Sequence, residues 1–178
     1  MGGALSDPST VETERLVGRR PDLEHLDAYA ALMADPLVAR TMWPGELGGP
    51  RTREQSESRL REDIAQWTVA EFGVWLAFER DTEELVGRIG PRITLVDGAL
   101  EVELAWIVRP DRWGRGYAAE LAERGREVAY KAGLDSVVAQ TLQTNTASRR
   151  VMEKLGMAFE SEPIYSGLPH VLYRSRRA

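Results

Sequence analysis

The sequence predicts one α/β (α+β) domain, a mixed and mostly antiparallel central sheet with helices on both faces, and three observations predict it. Its 178 residues fit a single domain, since domains usually run to about 100–200 residues. Three strand-like segments follow one another through short turns, at Phe72–Arg80, Glu84–Val96 and Leu100–Val108. Helical periodicity then returns after Gly116, and a buried-type strand follows at Ser136–Leu142. Strands and helices mixed in this way are satisfied by one sheet whose faces are covered by helices.

The elements run as follows. Met1–Thr10 is small and polar and is expected to be a mobile tail, leaving 11–178 as the folded domain. Its opening MGGALS fits the N-myristoylation pattern, which is short enough to be fortuitous; an expression remnant reads equally well. RLVGRR (Arg15–Arg20) is the first strand expected. Pro21-Asp22 opens a helix through His25, Tyr29, Leu32 and Met33, and Asp35-Pro36 breaks it, because proline disfavours helix in the residue before it. Trp43–Pro50 is a Gly/Pro loop. Thr52 and Gln55 form a capping box for a helix to about Trp67, with Leu60, Ile64 and Trp67 at helical spacing. The three central strands turn at Asp81-Thr82-Glu83 and Asp97-Gly98, an antiparallel meander. In the next helix Ala118, Leu121, Ala122, Gly125, Val128, Ala129 and Ala132 share one face, and Gly133 ends it. A short helix follows at Asn145–Leu155, stopped by Gly156; the last strands are Met157–Phe159 and Val171–Arg174.

Composition excludes several classes. Hydrophobic residues at 43% and charged residues at 29% are ordinary globular usage rather than disorder. Apolar runs fall well short of the roughly 18 residues a membrane span needs, and the N-terminus has no secretory pattern. A cytoplasmic protein without a membrane partner is expected. There is no cysteine, which removes disulfides, thiolate zinc sites and a cysteine nucleophile. His25 and His170 lie far apart and form no ligand motif, so no metal is expected. A net charge of −5 argues against nucleic acid as a partner. A homodimer is compatible with the chain.

The chemistry-bearing segment is WIVRPDRWGRGYAAELAERG, from Trp106. A strand ends at Val108, turns through Pro110-Asp111 and meets a glycine-rich loop that opens a helix. Gly114 and Gly116 leave backbone N–H groups unshielded, and the first helical turn adds unpaired donors and the positive end of the helix dipole. Together they suit a phosphate or pyrophosphate, with Arg112 and Arg115 adding positive charge. Glycines that serve only the turn are the plainer alternative. Gly114, Gly116 and Ala119 also satisfy the dinucleotide fingerprint G-x-G-x-x-A. Its context is wrong, because Arg109–Trp113 separate it from the strand and too little chain follows for two βαβαβ halves.

Strand, WGRGYA, helix, strand and NTASRRVMEKLGM together resemble the acetyl-CoA core of GNAT N-acetyltransferases. The similarity is greatest to the branch of ribosomal-protein N-terminal acetyltransferases. It extends through TERLVGRRP, ADPLVARTM, ELVGRIG, ELAWIV and LPHVLYR. The family's phosphate loop, Q/R-x-x-G-x-G/A, maps to Trp113, Gly116 and Ala118, with Trp113 in the Gln/Arg place. The resemblance implies a sheet with a splayed strand pair that admits acetyl-CoA as co-substrate. The backbone of Trp106, Ile107 and Val108 would pair with the pantetheine arm. Backbone N–H groups of Gly114, Arg115, Gly116, Tyr117, Ala118 and Ala119 would hold the pyrophosphate, and Asn145 would reach the cofactor. It further implies that Ser148 faces the thioester sulfur. For Asn145 a helix N-cap, and for Ser148 a capping role, are the structural alternatives.

Direct attack of an amine on a thioester requires a neutral amine, a stabilised oxyanion and a departing thiolate. Backbone N–H groups near Val108 suit the oxyanion, Ser148 the thiolate, and Glu103 the amine proton. Glu101 has the same strand parity and stands in reserve. Orientation of the acceptor is the alternative role for Glu103. Trp43, Trp67, Tyr165 and His170 are candidates for the acceptor wall. The acceptor is expected to be an amine, either a small molecule or a protein N-terminus. A GNAT-fold domain that binds acyl-CoA without turnover is the competing class. Residues 1–100 carry a net charge of −7 and residues 101–178 of +2. That division suggests a cationic amine received on an acidic N-terminal side, although chance unevenness explains the counts at least as well. An α-amine is preferred because, with a pKa of about 7.7–8.0 against about 10.4 for lysine, it loses its proton more readily.

Overall fold

β3 (Trp75–Glu79) is buried at every position, which requires cover on both faces of the sheet. Trp75 and Ala77 enter one hydrophobic cluster, and Leu76 and Phe78 enter another, the alternation a strand imposes. The computed structural model describes residues 8–177. The sheet order is β1-β2-β3-β4-β5-β6-β9-β7. Its strands are β1 (Thr10–Glu12), β2 (Leu16–Arg19), β3, β4 (Leu85–Val96), β5 (Ala99–Val108), β6 (Ser136–Leu142), β7 (Ala158–Ser161) and β9 (Leu168–Arg176), with β8 (Ile164–Tyr165) pairing only with β9. Every pairing is antiparallel except β5 with β6. No described helix is long and apolar enough to cross a membrane.

Helices α1 (Leu26–Met33), α2 (Pro36–Met42) and most of α3 (Arg53–Ala70) cover the Leu76 face. Helices α4 (Tyr117–Lys131) and α5 (Thr146–Lys154) cover the Trp75 face. The capping box is present at α3: Thr52 and Gln55 exchange side-chain and backbone hydrogen bonds at 2.9 and 3.2 Å. α4 lies unusually close to the sheet because Gly125 has no side chain. A Cβ there would sit 3.0 Å from Pro91 Cδ and 3.4 Å from Gly90 Cα. This approach fixes where the N-terminus of α4 emerges.

β5 and β6 run parallel but share only the Glu103–Val138 bridge. Beyond it towards Val108 they part, which is the splayed pair the resemblance implies. Three elements depart from expectation. Pro36 does not only end a helix; it starts α2, with the Asp35 carboxylate accepting from the N–H groups of Leu37 (2.7 Å) and Val38 (3.3 Å). Proline at the first helical position is pre-organised for a helix start. β8 was too short to show a pattern. β1 begins at Thr10, the last residue of the expected tail: Thr10 pairs with Arg19, and Trp75 Nε1–H donates to the Pro8 carbonyl at 2.8 Å. Pro8–Thr10 therefore belong to the folded body. The rest of the expected tail, with its myristoylation pattern, lies outside the described residues.

Candidate active site

Gly114 and Gly116 both adopt positive φ, 76° and 82°, a region where a Cβ is penalised. Gly116 caps α4 without any side-chain hydrogen bond to the helix, leaving first-turn N–H groups for an external acceptor. Around a Cβ placed at Gly114 there is only open space. These features fit an anionic ligand on the loop. Arg15 braces the loop from the bend between β1 and β2. Its Nη1–H donates to the Arg115 carbonyl at 2.7 Å, while its Nη2 pairs with Glu120 at 2.6 Å. Arg112 and Arg115 contribute less charge than expected. Arg112 is shared among Glu79, Glu84 and Asp111, and Arg115 Nη1 lies 3.5 Å from Glu79. Tyr117 is buried, with its hydroxyl on Glu79. Lys154 and Arg150 of α5 also line the cleft, and Lys154 Nζ would lie 3.5 Å from a Cβ at Gly116.

The strand edge is set by ladder geometry. Arg109 N–H donates to the Val86 carbonyl at 2.8 Å, in register with Val108 opposite Gly87. Main-chain groups alternate sides along an antiparallel strand. Those of Trp106 and Val108 therefore point away from β4, into the gap that β6 has left. Those of Ile107 point to β4, so its expected backbone pairing is corrected; it contributes a side chain to the cleft instead. The Val108 carbonyl is already taken by Trp113 Nε1–H at 2.7 Å. Trp113 thus latches the loop to the strand end, a role its indole can fill and a Gln or Arg would fill differently.

α5 begins beside that gap. Asn145 is its N-cap, with Oδ1 accepting from Ser148 N–H at 3.2 Å, and it also lines the cleft. Trp106 Nε1–H donates to Ser148 Oγ at 3.1 Å. An indole is a donor only, so the Ser148 hydroxyl proton is directed elsewhere.

A second cleft opens on the α1–α3 face, each cleft being about 400 Å³, and the two share Thr41, Met42 and Ile107. Glu103 stands in it, only 5% exposed. Arg92, its cross-strand partner, donates through Nε to Glu103 Oε2 at 2.7 Å. Trp43, Tyr165 and His170 line this cleft. His170 Nδ1 lies 2.9 Å from the Leu168 carbonyl, and its ring meets Tyr165 edge-on at 5.5 Å. Trp67 does not take part. It is 4% exposed in the core, donating to the Val74 carbonyl at 2.8 Å and packing on Trp75. Glu101 is spent as well, held by Arg174 at 2.9 and 3.1 Å.

The acetyltransferase (GNAT) domain family matches residues 15–158. The chain belongs to the GNAT acetyltransferase family. It is similar to an acetyltransferase from Agrobacterium tumefaciens str. C58, at 27% identity and TM-score 0.80, over 99% of both chains. The microcin C7 self-immunity acetyltransferase MccE, solved with acetyl-CoA and AMP, shares the fold at 12% identity and TM-score 0.75, over 96% and 97% of the chains. So does the ribosomal-protein-S5-alanine acetyltransferase of Vibrio fischeri, at 16% identity and TM-score 0.74, over 94% and 96%.

Within this GNAT chain the second cleft holds charges that the halves of the sequence concealed. Arg51, Arg59, Arg88 and Arg92 line it, all from residues 1–100, with Glu103 the one acidic lining residue among the described residues. The expected acidic reception is thereby corrected: net charge of a segment says nothing about which side chains turn inward. Arg88 and Asp63 form a buried pair, 5% and 6% exposed, with Arg88 Nε on Asp63 Oδ2 at 2.6 Å and Tyr29 OH at 3.3 Å. Burial pushes the Tyr29 phenol well up, and the Asp63 carboxylate adds to this. The sequence did carry a signal for this pair, since an arginine inside the apolar strand LVGRIG must find a partner or a function. Arg51 and Arg59 had none.

Proposed function

We propose that this GNAT protein transfers the acetyl group of acetyl-CoA directly to a primary amine, with both substrates bound together. One observation carries the reading: two clefts meet where β5 and β6 part, with Ser148 in one and Glu103 in the other. Acetyl-CoA fits the first cleft. The Gly114–Ala119 loop offers N–H groups to the pyrophosphate, with Lys154 and Arg150 beside it, and the Trp106 and Val108 edge offers strand-like partners to the pantetheine amides.

In the reaction a nitrogen–carbon bond forms as the carbon–sulfur bond breaks, yielding an amide and the free thiol. The amine loses one proton and the sulfur gains one. Val108 N–H points into the gap and suits the negative charge that develops on the thioester oxygen. Ser148 accepts from Trp106 and so turns its own proton towards the leaving sulfur. Glu103, with Oε2 held by Arg92, presents its other oxygen to the amine and receives or relays its proton. With no cysteine in the chain, no acetyl-thioenzyme is formed. Thiol release from acetyl-CoA across a panel of amines tests the reading. Release that requires an amine supports it, and binding of acetyl-CoA with no release for any amine refutes it.

A further inference from the structure

The cations of the acceptor cleft are not equivalent. Arg88 is neutralised by Asp63 and Arg92 by Glu103. Among the described residues Arg59 has only an exposed partner, Glu62, at 3.0 Å on the same helix, an arrangement of small worth. Arg51 has no carboxylate partner among the described residues. It is anchored instead by neutral contacts: its backbone N–H donates to the Met33 carbonyl at 3.1 Å, Nη1–H donates to the Leu47 carbonyl at 3.2 Å, and the guanidinium stacks over Trp43 at 4.3 Å. Burial, and then the charge of Arg59, lower the Arg51 pKa from its ordinary value.

A half-buried guanidinium seated over an indole, beside a second guanidinium, presents a fork with unspent donors. Guanidinium forks match carboxylate and phosphate oxygens. Across the same cleft Glu103 supplies the acidic end. We infer that the acceptor is a small amphoteric amine, one whose amino group faces Glu103 while a carboxylate or phosphate group is bound by Arg51 and Arg59. This rests on the acetyl-transfer reading and narrows its substrate class. The amide-forming step is unchanged; the anionic group takes no part in bond making and only fixes the distance of the nitrogen from the gap. A neutral or dicationic amine of equal length would leave both guanidiniums unanswered.

The test is kcat/KM for acetyl-CoA-dependent thiol release with matched linear amines of several lengths. Each set carries a terminal carboxylate, phosphonate, hydroxyl or second amine. One of the two anionic series is expected to exceed the hydroxyl series by about tenfold to a hundredfold, as a charge-assisted hydrogen bond predicts, and whichever leads distinguishes carboxylate from phosphate. Arg51→Gln should remove that preference through KM, lowering the leading anionic series far more than the hydroxyl series. Arg51→Lys should restore part of it, and added salt should erode it. Circular dichroism and the affinity for acetyl-CoA report that the variants are folded. Turnover in which hydroxyl or diamine acceptors lead, or an Arg51→Gln loss equal in every series, overturns the inference and leaves acetyl transfer standing. Absence of release with every amine, despite bound acetyl-CoA, overturns both.

Discussion

Replacing Gly116 separately by alanine and by valine distinguishes the demand of the backbone from that of the ligand. Gly116 sits at φ 82°, and a Cβ would meet only Lys154 Nζ at 3.5 Å and Arg15 Nη2 at 3.6 Å, ordinary contacts with flexible tips. The protein itself therefore has room for the methyl group, and the penalty is conformational, about 1–2 kcal/mol for a left-handed alanine. For a chain of this size that lowers Tm by about 2–8 °C. Gly133, at φ 92° with open space around its Cβ position, sits at the far end of α4 and is the control. Gly133→Ala should lose similar stability and bind acetyl-CoA normally. Gly116→Val puts branched methyls where the pyrophosphate is to lie. Loss of one charge-assisted hydrogen bond, about 1.5–3 kcal/mol, raises Kd by about tenfold to a hundredfold. Thermal unfolding and titration calorimetry read the two effects independently. A folded Gly116→Val protein with unaltered affinity would refute the loop as the pyrophosphate site.

Ser148→Ala should lower kcat by more than it weakens acetyl-CoA binding, measured by steady-state kinetics beside calorimetry; an equal loss in both would make Ser148 a binding residue only. Trp106→Phe removes the donor to Ser148 Oγ and should lower kcat in the same direction by less, about fivefold for a hydrogen bond worth ~1 kcal/mol. Arg88→Met strands the Asp63 carboxylate in the core and should cost about 3–5 kcal/mol in urea unfolding, most of it recovered by adding Asp63→Leu. The hydrogen bond from Tyr117, with help from Arg112, holds the Glu79 carboxyl below its ordinary value against the opposing effect of burial. Its stabilisation is therefore full above the unfolded carboxylate pKa of about 4.3 and disappears as pH falls through the lower folded value. Glu79→Gln should flatten that acid limb of the stability profile, and an unchanged limb would contradict the assignment.

The fold was legible where local chemistry and burial agreed. The Ser136–Leu142 strand, the Thr52 capping box and the central meander announce themselves through period, cap and turn residues. α2 departs from the sequence pattern because two signals compete: Pro36 reads as a stop, yet Asp35 before it is an N-cap and proline suits the first helical turn. The turn at Gly114 and Gly116 could be read because its positive φ is one that glycine readily adopts. The second cleft could not. Arg51, Arg59, Arg92 and Glu103 come from a loop, a helix and two strands, and only the folded sheet brings them together. Trp67 shows the same limit from the other side, since composition does not separate a core tryptophan from one in a cleft wall.

Mass spectrometry of the product formed from acetyl-CoA and an amine carrying an anionic group, with free thiol followed in parallel, tests acetyl transfer most directly. The account predicts an N-acetylated amine appearing in step with the thiol, abolished when either substrate is left out. An intact amine beside bound and unreacted acetyl-CoA, or an acetyl group found on oxygen instead of nitrogen, would contradict it.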